Sequence, residues 1–189
     1  MFISLPKRHT RGRKMENSLN KVISLIRDVR DYPKEGIIFK DITPVLQDPE
    51  AFSMVINKMA DNLAKTDFDY IAGIEARGFI MGSALAYKTG KGFIPIRKKG
   101  KLPYATISRE YALEYGNATI EMHADAVRDG SRIVIVDDLL ATGGTAKAAS
   151  ELVTEAGGVV KCLMFMIELE FLKGREQLDS NDVISLIKY

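Results

Sequence analysis

The chain is poor in cysteine, histidine and long apolar runs, and each shortage excludes something. A single cysteine, Cys162, rules out an intrachain disulfide and fits a reducing, cytoplasmic setting. The two histidines, His9 and His123, with one solitary thiol, supply no ligand set for structural zinc. No apolar run approaches the roughly 20 residues that span a bilayer, so no membrane partner is expected. A surplus of one charge is missing too. With 27 basic and 25 acidic side chains the net charge is +2, too even to point to nucleic acid. The remainder is ordinary: 46% hydrophobic and 28% charged over 189 residues, which suits one domain of usual size with a packed core.

Acids are also absent from the opening stretch MFISLPKRHTRGRK. It reads as a targeting leader, a start-site artefact with Met15 as the alternative start, or a basic arm. The expectation is a basic N-terminal extension, residues 1–17, outside a domain of residues 18–189.

Apolar spacing predicts a helix over Ser18 to Arg30, stopped at Asp31-Tyr32-Pro33. Asp48-Pro49-Glu50 opens a second helix with the stripe Phe52, Val55, Ile56, Met59 and Leu63. Between them, Tyr32 to Pro44 has no strong periodicity and reads as a loop anchored by Phe39. Tyr70–Ile74 reads as a buried strand, Phe79 to Lys88 as a helix closed by Gly90, and Gly92–Arg97 as a strand. Pro95 suggests that this last strand is an edge or distorted. Lys98 to Gly116 reads as a long excursion, part loop and part hairpin. Ile133–Val136, Val159–Glu168 and Val183–Ile187 are further strands, and Thr145 to Glu155 a helix. Strands alternating with helices predict a parallel α/β sheet.

The most informative stretch is IVIVDDLLATGGT, residues 133–145. A chain leaving a parallel strand at its carboxyl end passes a crevice where ligands bind. Gly143 and Gly144 accept backbone angles that aim their amides inward as a phosphate nest. The helix starting near Thr145 adds free N–H groups and a positive dipole end. Ala141 completes the loop, and Thr142 and Thr145 add hydroxyls. Asp137 and Asp138 would repel a bare polyphosphate, but they suit the paired hydroxyls of a ribose. A nucleoside-triphosphate loop would need Lys-Ser/Thr after its glycines, and Lys147 comes too late. Elsewhere, Phe39 is suited to stack on a flat base, with backbone groups of Ile38 and Lys40 reading its edge.

Here the chain resembles the type I phosphoribosyltransferases, whose hallmark is this strand, acid pair and Thr-Gly-Gly-Thr loop. YPKEGIIFKDITPVL, IEARGFIMG, IRKKGKLP, LEYG and the late LKGREQL follow in the order of the branch that uses adenine. The resemblance implies an α/β fold with a central, mostly parallel sheet flanked by helices, a small hood and a flexible lid hairpin. It implies transfer of the 5-phosphoribosyl group of phosphoribosyl pyrophosphate to adenine, giving AMP and pyrophosphate in purine salvage. Mg2+ would be the cofactor, held mainly by substrate and water near Asp137 and Asp138, and the assembly would be a homodimer. The Glu75–Ala76 bond would be cis, and Arg77 would meet pyrophosphate together with Lys98, Lys101 and Arg97. Glu114 would handle the proton at adenine N7, and Tyr115 would help the lid exclude water. Lys40 stands where some members carry arginine, a mild departure if the backbone reads the base.

Two rivals differ in class. One uses hypoxanthine, guanine, xanthine or orotate; the pair Ile37-Ile38-Phe39-Lys40 and Leu113-Glu114-Tyr115-Gly116 argues against it. The other is a non-catalytic regulator that senses phosphoribosyl pyrophosphate. It would need a DNA-binding domain, which about seventeen residues ahead of the first helix do not supply.

Overall fold

A computed structural model describes residues 19–113, 116–178 and 182–189. The chain divides after Asn57 into two units.

In the first unit, among the described residues, helix α1 covers 19–25. The predicted helix to Arg30 is therefore corrected: Arg27–Arg30 is a strand, β1, antiparallel to β2, Ile38–Asp41. The physical reason lies across the pair rather than along the chain. Arg27 faces Asp41 and Asp28 faces Lys40 in register, and both make ion pairs, at 2.5 and 2.7 Å. Such cross-strand partners outweigh a modest helical pattern. The stretch read as a loop thus holds a strand, and a short helix, α2, Thr43–Gln47, follows it. Asp41 Oδ1 accepts the Thr43 N–H at 2.8 Å, and bonds from Thr43 and Arg27 hold its carboxyl down to about 2.

Helix α3, Pro49–Leu63, begins where proline and its cap predict. Asp48 Oδ1 accepts the N–H groups of Glu50 and Ala51 at 3.0 and 2.8 Å. Val55, Ile56, Met59 and Leu63 are buried as expected; Phe52 is only half-buried, and Ala51 is the more deeply covered.

The second unit holds β3 (Tyr70–Ile74), α4 (Arg77–Thr89), β4 (Gly92–Lys98), β5 (Thr106–Leu113), β6 (Gly116–His123), β7 (Arg132–Leu140), α5 (Gly144–Glu155), β8 (Val159–Glu168) and β9 (Val183–Lys188). Two 3-10 turns, Glu170–Leu172 and Gly174–Gln177, separate the last two strands. Among the described residues one sheet has the order β5-β6-β4-β3-β7-β8-β9. The run from β4 to β9 is parallel throughout, and β6 and β5 add an antiparallel hairpin. The α/β expectation holds. Strand β6 was not foreseen as a strand, although Ile120 and Met122 alternate inward along it.

Pro95 does not mark an edge, because β4 lies between β3 and β6. Pairing with β6 begins only at Arg97, so the missing N–H falls where no ladder bond is required.

Helices cover the two faces. Ala72, Ile74, Ile133, Ile135 and Leu163 pack with Ala149, Leu152 and Val153 of α5. On the opposite face lies α4, where Phe79 meets Phe93 edge-on at 5.6 Å. Each large aliphatic side chain removed from water contributes ~1.5–3 kcal/mol, so these layers hold the sheet.

Cys162 sits in β8 with 2% of its surface exposed. Burial first, and the charge of Asp182 second, push its thiol up to about 12. A thiol reagent at about pH 8 is expected to label the folded protein at least ~100-fold more slowly than the chain in denaturant. Equal rates would contradict this burial.

Candidate active site

Strand order reverses between β3 and β7. From β3 the chain steps outward to β4, then returns to place β7 on the other side of β3. The carboxyl ends of those two strands flank a crevice, the place where ligands bind in sheets of this kind. One end carries Glu75, Ala76 and Arg77; the other carries Asp137 through Thr145.

The loop after β7 has the predicted construction. Gly143 takes φ 89° and caps α5, which starts at Gly144. The Lys147 N–H returns to the Gly143 oxygen at 2.9 Å, the first turn of the helix. A crevice opens here, lined by Asp137, Leu139 through Ala146, and Phe165. Ala141, Thr142, Gly143, Gly144 and Thr145 thus surround one opening, with the free N–H end of α5 at its base. The Thr145 hydroxyl lies 3.2 Å from the Tyr111 hydroxyl on β5, so the hairpin touches the loop directly.

The two acids diverge. Asp137 lines the crevice, and its Oδ1 accepts the Asp138 N–H at 2.9 Å. Asp138 is 3% exposed, and its carboxylate lies 3.0 Å from Arg77 Nε. Burial and the neighbouring charge of Asp138 raise the Asp137 pKa well above the usual carboxylate range. Burial also raises that of Asp138, opposed by Arg77. Asp137 is half-buried, and a Cβ at Gly78 would come within 2.9 Å of its Oδ1.

At the end of β3 the Glu75–Ala76 peptide is cis, as the resemblance implied. Glu75 grips Arg97 with both oxygens, at 3.2 and 2.9 Å, and accepts the Lys98 N–H at 3.1 Å. Arg97 holds the Glu75 carboxyl below its usual range. Arg97 also donates to the Lys101 oxygen at 2.9 Å. Lys98 and Lys101 themselves are exposed.

Glu121 escaped the sequence reading. It is 4% exposed and accepts the N–H groups of Lys101 and Leu102, each at 3.0 Å. Burial pushes its pKa up, but the N–H groups of Leu102, Gly100 and Lys101 prevail and hold it low. The cationic loop is therefore folded over a buried carboxylate. Only the inward alternation of Ile120 and Met122 hinted at this strand, and nothing marked the acid between them.

Ile38, Phe39 and Lys40 lie on β2 in the first unit. Phe39 meets Tyr32 edge-on at 5.3 Å, and Lys40 pairs with Asp28. Glu114 and Tyr115 lie outside the described residues.

Residues 45–186 match the family described as phosphoribosyl transferase domain. An adenine phosphoribosyltransferase of Halothermothrix orenii is 58% identical over 163 residues, covering 86% of this chain and 96% of its own. The chain belongs to the adenine phosphoribosyltransferase family. The crystal structure of the adenine phosphoribosyltransferase of Thermoanaerobacter pseudethanolicus superposes with a TM-score of 0.89 at 54% identity, covering 90% of this chain and 99% of that one. The Saccharomyces cerevisiae adenine phosphoribosyltransferase, complexed with adenine and an imino-altritol bisphosphate, gives 0.86 at 36% identity, covering 90% of this chain and 99% of its own.

In this adenine phosphoribosyltransferase fold, ionising Asp137 opposes folding, because its pKa is raised in the folded state. Asp137→Asn is expected to raise the melting temperature of ligand-free protein by ~2–4 °C near pH 8. The gain should shrink as pH falls towards the unfolded carboxyl's range and vanish below about pH 3, where folded and unfolded carboxyls are both protonated. A gain independent of pH, or a loss near pH 8, would contradict a raised Asp137 pKa.

Proposed function

We infer that this protein transfers the 5-phosphoribosyl group of phosphoribosyl pyrophosphate to adenine, releasing AMP and pyrophosphate. The observation that carries the reading is the meeting of a ribose-phosphate loop with an arginine turn at one switch point, in a chain 58% identical to a named adenine phosphoribosyltransferase. The yeast relative in complex with adenine and a sugar-like bisphosphate supports the same substrate pair.

The proposed roles follow the chemistry. The nest of Ala141 to Thr145 takes the ribose 5-phosphate on backbone N–H groups and threonine hydroxyls. Asp137 faces the ribose hydroxyls, and Asp138 reaches them or keeps Arg77 aimed at the pyrophosphate. The turn Glu75–Ala76–Arg77, with Lys98, Lys101 and Arg97, binds the departing pyrophosphate. Fixed cationic donors in a closed site stabilise developing negative charge far better than in water. Breaking the bond from ribose C1 to the pyrophosphate oxygen leaves positive charge on the sugar, which the acids favour. Adenine N9 then attacks C1, and Glu114 manages the proton at N7. Phe39 stacks on the base, while backbone groups of Ile38 and Lys40 read its edge. Tyr115 and the lid exclude water, so that hydrolysis does not compete.

The donors present suit magnesium, since Asp137 and Asp138 offer carboxylate oxygen, the ligand type that cation prefers. Asp137 and Asp138 would hold the cation through its water shell, and it would supply positive charge to offset the leaving group. We propose residues 18–189 as one phosphoribosyltransferase domain, with 1–17 an extension outside it. The proposed setting is the cytoplasm. The proposed assembly is a homodimer, for which Ile80 and Tyr87, at 41% and 92% exposure, offer apolar surface on α4.

Adenine, hypoxanthine, guanine, xanthine and orotate offered separately with phosphoribosyl pyrophosphate and Mg2+ test the substrate. Chromatography should show AMP as the product, and another nucleotide without AMP would overturn the reading. Glu114→Gln is expected to lower kcat by about 10²–10⁴. An unchanged kcat at saturation would remove Glu114 from the chemistry.

A further inference from the structure

The motif Leu172-Lys173-Gly174-Arg175-Glu176-Gln177-Leu178 has no part in the chemistry above, yet it lies against the back of the phosphate loop. A Cβ on Gly143 would collide with the Gly174 oxygen and come within 3.0 Å of Gln177 Cβ. A Cβ on Gly174 would collide with the Ala141 oxygen and lie 3.0 Å from the Gly143 nitrogen. The two glycines therefore interlock backbone to backbone. Gly143 is held at φ 89° with a second chain segment directly behind it.

That segment is itself fixed. Arg175 grips Glu168 with Nε and Nη2 at 3.0 and 2.6 Å, and donates from Nη1 to the Val183 oxygen at 2.7 Å. Glu168 stands in register with Leu140, the residue before the loop. Its side chain is 5% exposed, and the arginine holds its carboxyl below the usual range despite partial burial. Leu178, 4% exposed, closes the turn in the core beneath α5. The Leu169 N–H bonds the Leu140 oxygen at 2.9 Å, tying the start of the segment to the same strand end.

We infer that Gly174 and Arg175 are positioning residues for the ribose-phosphate loop. They form a rigid backstop that holds the Gly143 amide in the inward attitude a phosphate needs. Neither touches the reacting atoms; both act through Ala141 and Gly143. A bidentate arginine on a buried carboxylate suits this task, because the planar fork fixes orientation as well as distance.

The inference rests on the loop's binding a phosphorylated ribose, and the test separates the two claims. Ribose 5-phosphate is the calorimetric probe, since it needs the loop but not the base or the lid. Wild-type protein that fails to bind ribose 5-phosphate or phosphoribosyl pyrophosphate would overturn the functional reading itself. Given wild-type binding, Gly174→Ala is expected to weaken ribose 5-phosphate about tenfold, and Arg175→Lys about threefold, by displacing the loop a fraction of an ångström. KM for phosphoribosyl pyrophosphate should rise in step while KM for adenine stays within about twofold. Glu176→Ala, an exposed change in the same turn, should leave ribose 5-phosphate affinity unchanged. Folded Gly174→Ala protein with wild-type affinity would overturn the inference, as would equal rises in both KM values. If Gly174→Ala does not fold, wild-type affinity in folded Arg175→Lys protein overturns it.

Discussion

The arrangement of the crevice depends on how closely the start of α4 approaches the end of β7. At Gly78 a Cβ would lie 2.7 Å from the Val136 oxygen and 3.1 Å from Asp137 Cα. Only a residue without a side chain allows that contact, and the contact sets the distance between two strand ends. Arg77, one residue earlier, is thereby brought to Asp138 at 3.0 Å. A bulkier residue would lift the helix and pull the arginine turn away from the acid pair. Two ligand-facing segments, far apart in sequence, thus share one reference point.

Acids recur where an anionic ligand is expected, and each is already committed. Glu75 holds Arg97 and the Lys98 N–H; Glu121 holds the backbone of Lys101 and Leu102; Asp138 faces Arg77. These carboxylates keep cations and loops at set positions without neutralising the exposed lysines. Charges held this way need little reorganisation when a ligand arrives.

The construction of the loop after β7 was legible in the sequence because all its parts are local. An apolar strand, an acid pair, two glycines and a helix start lie within residues 133–145, and each carries its meaning without a distant partner. β8 was legible for a related reason: an unbroken apolar run is buried on both faces. What escaped was relational. Arg27 and Asp28 read as part of a helix because their partners, Asp41 and Lys40, lie on another strand. Glu121 looked like any polar residue on an alternating strand, since its partners are N–H groups of a loop with no sequence signature. Gly174 could be matched to a motif but given no task, because its neighbour is a backbone carbonyl at Ala141.

The hydrogen bond between the Tyr111 and Thr145 hydroxyls joins the β5–β6 hairpin to the loop after β7. In the proposed reading, a phosphate accepting the Thr145 hydroxyl proton would compete with Tyr111, which accepts it here. Sugar binding and hairpin freedom are then thermodynamically linked, and the linkage is reciprocal. The pairing of Arg109 with Glu151 and Glu155 steadies the hairpin against α5, and on that reading it would bear on how readily the loop takes its ligand. Under the proposed assignment, the sugar site and the hairpin would both answer to one shared hydroxyl.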